Sequence, residues 1–208
     1  MLRAGHESID ASRPLLRLGR RLEWFTLVWN SLEAVVAIGA GWVAGSPSLL
    51  GFGIDSVIEN SSAVTLLWRL HDESQRRERR ALLLVGVSFL LLAAYVAWEA
   101  VRDLVGGQGP DVSYVGIALA ALSLVVMPLL ARSKRRLAAR LSSRALHADS
   151  RQTSLCAYLS AILLGGLLLN ALFGWWWADP VAALVMVPII AREGVQALRG
   201  DPCDDGCC

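Results

Sequence analysis

The chain has 208 residues, of which 55% are hydrophobic and 18% are charged. Its net charge of +2 is uninformative because the basic residues are clustered, and no nucleic-acid partner is expected. Apolar stretches of about 20 residues recur, which is the length that crosses a bilayer, so a single membrane domain fills the chain and leaves no room for a soluble one. The first residues lack the short apolar core and small-residue cleavage site of a secretory signal.

Six apolar stretches predict an all-α polytopic membrane protein with six transmembrane helices. In chain order they are Leu22–Ala44, Leu49–Leu70, Ala81–Val101, Ser113–Ala131, Leu146–Phe173 and Ala178–Leu198. We expect a basic N-terminal segment over 1–21, a six-helix transmembrane domain over 22–200, and a Cys/Asp tail over 201–208.

The segments between the stretches are predicted to be loops. They are GSPS, a highly charged LHDESQRRERR, a Gly/Pro-rich GGQGPDVS, a basic ARSKRRLAARLSSR that includes Lys134, and GWWWADP. The three tryptophans of the last segment suit the headgroup region. Asp179 and Pro180 then begin the sixth helix, with a carboxylate at the positive end of the helix dipole.

Lysine and arginine indicate the orientation of the chain. They cluster at 3–21, 69–80 and 132–144, which lie on one side of a six-span topology, whereas the other side has only Arg102 near it. The positive-inside rule therefore places both termini in the cytoplasm, and we expect the chain in a bacterial inner (plasma) membrane. The basic segments are expected to set this topology rather than to bind lipid or nucleic acid.

The second stretch contains two acidic residues, Asp55 and Glu59, four positions apart on one helix face. Ionisable groups inside a membrane are costly and indicate function. Two like charges at this spacing repel each other unless a cation or a proton relieves them, and a divalent metal ion fits such a pair. The structural alternative is that one acid bonds to Asn30 or Ser61 while the other reaches the interface.

The fifth stretch offers further candidate ligands. Asp149, Gln152 and Cys156 can share one helix face, with Thr153 beside them. A cysteine thiolate is a good ligand for zinc, cadmium and softer ions, and glutamine is a weak one. Taken alone, Cys156 also fits a small buried hydrophobic residue.

Other polar residues receive simpler interpretations. In the first stretch, Glu33 is either a third acidic contributor or a hydrogen-bond partner of a neighbouring helix, whereas Glu23 is interpreted as an ordinary interfacial residue. His71 and His147 fall at aqueous boundaries and could deliver metal. The tail cysteines could bind a soft ion, although their spacing is not that of a folded zinc site; they are Cys203, Cys207 and Cys208.

These patterns together resemble the cation diffusion facilitator family. Residues 55–59 (DSVIE) resemble the acid pair of the family's second helix, "DSxxD" or "HSxxD". The fifth-helix pattern "ADxxHxxxD" is matched at Asp149, with Gln152 at the His position and Cys156 at the final Asp position. The stretch 90–104 resembles the third helix, and the "DPxxAL" start and "REGxxxL" end of the sixth helix lie within 179–198.

The resemblance implies a homodimeric, proton-coupled exporter of a divalent transition metal that works by alternating access and is not an enzyme. Zinc is the first choice of cargo, followed by cadmium, cobalt, and iron or manganese. Two departures matter: the fifth-helix pair is Gln152 and Cys156 instead of His and Asp, and the cytoplasmic C-terminal domain of many members is expected to be absent. Asp149 or Glu33 could substitute for the missing acid.

Two other functions stay open. The chain could be a membrane metal-binding or sensing protein that acts through its CDDGCC tail. It could also be a proton-coupled transporter of an organic cation, which would need an aromatic-lined cavity. No resident cofactor is expected in any of these cases, and the partners are a divalent metal ion, protons and the lipid bilayer.

Overall fold

A computed structural model describes residues 3–69, 75–107, 109–141 and 143–199. Within these ranges the chain forms six helices and no strand. The helices are α1 (Arg3–Ala44), α2 (Pro47–Arg69), α3 (Gln75–Gly106), α4 (Tyr114–Leu141), α5 (Arg144–Phe173) and α6 (Ala178–Arg199). The predicted all-α fold with six helices is therefore confirmed.

The main difference from the prediction is at the fourth connection. The basic segment was predicted to be a loop, but α4 continues to Leu141, so that prediction is wrong. The physical reason is a small apolar cluster beyond the main core, in which Leu137 and Ala138 pack with Leu146 of α5. Burying these side chains stabilises a helix that carries arginines on its outer face.

The surface of the bundle has the character of a lipid-facing surface. Within the described ranges, four helices are long and apolar enough to cross a membrane: Arg17–Ala44, Tyr114–Leu141, Asp149–Phe173 and Ala178–Arg199. Large apolar side chains point outward, with Val35 at 74%, Trp42 at 79% and Trp98 at 71% exposed. Contiguous apolar surface of this kind marks a membrane or partner contact.

Helix α2 is central, since it packs against α1, α3, α5 and α6. Gly53 allows its close approach to α1, because a Cβ there would lie 2.8 Å from Ile38 Cγ1 and 2.9 Å from the Ile38 backbone nitrogen. Small residues at such crossings are typical of membrane helix packing. The central position of α2 brings its inner face against residues of both α1 and α5.

Asp179 joins the start of α6 to the α1–α2 turn. It lies in the first turn of α6, as predicted, and is fully buried. Ser46 Oγ, in the α1–α2 turn, donates to its Oδ1 at 2.9 Å, and Ser48 donates to the same oxygen. These hydrogen bonds explain how an acid at a helix start is accommodated inside the bundle.

Candidate metal site

Polar side chains form a continuous buried stripe along α1. They recur every three or four residues and are at most 1% exposed: Glu23, Thr26, Asn30 and Glu33. This spacing places them on one helix face, and α1 packs against α2 and α4. The interpretation of Glu23 as an ordinary interfacial residue is wrong, because this side chain is buried inside the bundle.

The two acids of α2 are buried next to this stripe. Asp55 is 6% exposed and Glu59 is 1% exposed. Thr153 Oγ1 donates to Glu59 Oε1 at 3.0 Å, whereas Glu59 Oε2 has no hydrogen-bond partner. Glu59 therefore keeps acceptor capacity that the described part of the protein does not use.

Cys156 is a second residue of α5, after Thr153, that lies beside the acids. It is 1% exposed, its thiol lies beside Glu59, and it is close enough to Asp55 and Glu33 to interact with them electrostatically. Gln152 lies on the flank of the helix, half-buried, and its Nε2 has no partner. Cys156 thus lies beside the α2 acid pair, whereas the Nε2 atom of Gln152 donates no hydrogen bond to it.

Asn30 is a neighbour of this group that the sequence did not single out as a ligand. It is fully buried, and neither atom of its amide group has a hydrogen-bond partner. The amide lies close to Glu59, whose Oε2 is also unpaired. Asn30 therefore adds an amide group to the buried polar surroundings of Glu59.

Glu33 has other partners. Trp29 Nε1 donates to its Oε1 at 2.7 Å, and Ser56 Oγ donates to its Oε2 at 3.3 Å. One of the two interpretations made from the sequence was a hydrogen bond to a neighbouring helix, and Ser56 on α2 supplies it. Glu33 therefore lies near the acid pair with both carboxylate oxygens already engaged.

Asp149 belongs to a separate buried charge cluster. Lys134 Nζ donates to Asp149 Oδ2 at 2.5 Å and to Glu23 Oε2 at 3.3 Å. The Lys134 side chain is 0% exposed, so its assignment to a solvated loop is wrong. A signal was present in the sequence, because Lys134 is three and four positions before the apolar pair Leu137 and Ala138 on the same helix face.

Comparison with known proteins identifies the family of the chain. Residues 24–200 match the cation efflux transmembrane domain. The chain belongs to this family. It is therefore an integral membrane protein of a transporter family, and the resemblance found in the sequence is confirmed.

Three relatives of this cation efflux protein show how the similarity is distributed. It is 27% identical to transmembrane protein 163 of Xenopus laevis over 182 residues, or 85% of this chain and 65% of the relative. It is 28% identical to an uncharacterized transporter of Methanocaldococcus jannaschii over 178 residues, which are 80% of this chain and 62% of the relative. It is 29% identical to a cadmium, cobalt and zinc/H(+)-K(+) antiporter of Bacillus velezensis over 132 residues, which are 60% of this chain and 40% of the relative. The matches thus span between 40% and 65% of these relatives.

In this conformation the cation efflux domain does not present a closed metal site. Among the described residues, no three His, Cys, Asp or Glu side chains converge closely enough to hold a metal ion. Asp55, Glu59 and Cys156 are neighbours, so holding an ion would require their side chains to move toward it. His147 is exposed on α5, and His71 and the tail cysteines lie outside the described residues.

Proposed function

We propose that this chain transports a divalent transition-metal cation, with zinc as the first choice, out of the cytoplasm in exchange for protons. The observation that carries the proposal is the unpaired Glu59 Oε2, buried beside Cys156, Asn30 and the second acid Asp55. Two carboxylates, an amide oxygen and a thiol form a mixed oxygen and sulfur ligand set that suits borderline ions such as zinc and cadmium.

In this proposal the ion is the cargo. Asp55 and Glu59 supply the negative charge that replaces its hydration shell, and Cys156 supplies the soft ligand. Gln152, Asp149 and Glu33 were also candidate ligands; the partners of Glu33 and Asp149 make them supports of the site rather than primary ligands. Protons and metal compete for the same groups, so protonation on the outer side would weaken binding and release the ion.

The wider assembly is part of the same proposal. Alternating access would arise from movement of helices around a fixed midplane site. A homodimer, cytoplasmic termini and a plasma-membrane location are proposed with it, on the basis of the family and of the basic segments. The Bacillus velezensis relative is named as an antiporter for cadmium, cobalt and zinc, which supports both the cargo class and the exchange mechanism.

The test is a flux assay with the full chain in proteoliposomes, using Zn²⁺, Cd²⁺, Co²⁺ and Mn²⁺ with and without a pH gradient. We expect zinc or cadmium flux that increases when protons can flow in the opposite direction. Flux of an organic cation without metal flux would favour the organic-cation alternative. Metal binding without any flux, lost on deletion of residues 201–208, would favour the sensor alternative.

The identity of the residue at 156 should set the preference among metals. Cys156→Asp replaces a soft ligand with a hard one, and we expect the ratio of Cd²⁺ to Mn²⁺ flux to fall by about tenfold or more, the scale on which changes around metal ligands act. Cys156→Ala is the matched control, since it removes the thiol without adding a hard ligand and should weaken Cd²⁺ transport without improving Mn²⁺ transport. An unchanged ratio in Cys156→Asp would remove Cys156 from the site.

A further inference from the structure

The buried charge cluster is built around Lys134. Its Nζ lies 2.5 Å from Asp149 Oδ2, 3.3 Å from Glu23 Oε2 and 3.4 Å from Thr153 Oγ1. The exposed fractions are 0% for Lys134 and Thr153, 1% for Glu23 and 7% for Asp149. An ammonium group thus lies in a pocket of oxygen atoms contributed by α1 and α5.

The ammonium uses only part of this pocket. Glu23 Oε1 and Asp149 Oδ1 are buried and have no hydrogen-bond partner. One ammonium faces two carboxylates here, and Glu59 lies close enough to interact electrostatically with Lys134. Buried carboxylates need full pairing to offset the cost of their desolvation. The two oxygens therefore have acceptor capacity that a single ammonium does not use.

The pocket is connected to the acids of the proposed transport site. Thr153 donates to Glu59 Oε1 at 3.0 Å and accepts from Lys134. Lys134 is followed on α4 by Arg135 and Arg136, which are exposed at the end of the bundle predicted to face the cytoplasm. The pocket thus lies between that end of the bundle and the α2 acids.

We propose that Glu23, Asp149 and Thr153 form a second divalent-cation site, which the ammonium of Lys134 occupies as a tethered substitute when no ion is bound. The ligands would be carboxylate and hydroxyl oxygens, the chemistry preferred by hard and borderline divalent ions. This second site rests on the proposed function and deepens it. It adds a cation-binding site between the cytoplasmic end of the bundle and the transport site at Asp55 and Glu59. Arrival of an ion displaces the lysine side chain.

The experiment counts bound ions. The purified full chain in detergent is dialysed against Zn²⁺, and bound zinc per chain is measured by mass spectrometry. Lys134→Gln removes the cation that zinc must displace in the parent protein. At a zinc concentration at which Lys134 still occupies the site in the parent, we therefore expect Lys134→Gln to bind one more zinc ion per chain. Adding Glu23→Gln and Asp149→Asn should abolish that gain. Lys134→Arg, the matched control, keeps the positive charge and should show no gain.

The two proposals can fail separately. The same measurements are made in an Asp55→Asn, Glu59→Gln background, in which the second site predicts the same gain on Lys134→Gln. If the Asp55→Asn, Glu59→Gln chain binds as much zinc as the parent protein, the assignment of Asp55 and Glu59 as metal ligands is wrong. The extra zinc bound on Lys134→Gln tests the second site independently of that result. A folded Lys134→Gln chain that gains no zinc overturns the second site. If Lys134→Gln aggregates without metal, Zn²⁺ must restore a monodisperse protein, and failure to do so overturns the second site equally.

Discussion

The double variant Asp55→Asn, Glu59→Gln is expected to abolish most metal transport, with flux reduced by about 100-fold or more. Both substitutions keep the size and shape of the side chains and remove only their negative charge. Residues that merely support metal ligands already contribute about 10–100-fold to affinity, so loss of both anionic ligands should cost at least the upper end of that range. The measurement is zinc flux into proteoliposomes at equal protein density, with single variants in parallel.

A carboxylate outside the proposed site provides the control. Glu99 lies on α3 and pairs with the exposed Arg102 at 2.6 Å. Glu99→Gln therefore removes a carboxylate of the same type from the same bundle, and flux should stay close to that of the parent protein. Wild-type flux in the double variant would contradict the assignment of Asp55 and Glu59, and a comparable loss in Glu99→Gln would show that the effect is not specific to the site.

The helices were predictable because the length of apolar runs is a direct physical requirement of a bilayer. Their ends were less so, because hydropathy marks where a membrane stops and not where a helix stops. Helix α4 illustrates this, as its apolar run ends near Ala131 while the helix continues to Leu141. Only the spacing of Leu137 and Ala138 indicated that the basic segment has a buried face.

The candidate site was predictable where its residues share one helix. Asp55 and Glu59 are four positions apart on α2, and the sequence alone placed them on one face. The partners across helices were not predictable, because spacing within a helix does not tell which face of a neighbour it meets. Thr153 rather than Gln152 faces Glu59 for this reason. Asn30 was one of two partners considered from the sequence for the α2 acids, and the packing of α1 against α2 places it beside Glu59.

Removal of the lysine alone should strongly destabilise the bundle. In metal-free buffer, Lys134→Ala leaves Glu23 and Asp149 buried without their shared cation. Breaking a buried ion pair on one side costs about 3–5 kcal/mol of unfolding free energy. The unfolding free energy is measured by reversible unfolding in mixed micelles that contain an increasing fraction of denaturing detergent. The circular dichroism signal of the helices monitors the transition.

The matched comparison is the triple variant Lys134→Met, Glu23→Gln, Asp149→Asn, which removes all three charges and keeps side chains of similar volume. Replacing a complete buried ion cluster with uncharged groups is often neutral or stabilising, so its unfolding free energy should stay within about 1 kcal/mol of the parent or rise above it. Equal destabilisation of the single and triple variants would mean that packing, and not charge, makes Lys134 important. The expected result is a large loss of unfolding free energy in Lys134→Ala that is absent from the triple variant. It would show that the bundle tolerates removal of the lysine but not two buried acids without a cation. If the triple variant folds as well as the parent, the three buried charges are not needed for folding, which is the result that a second cation site at this position predicts.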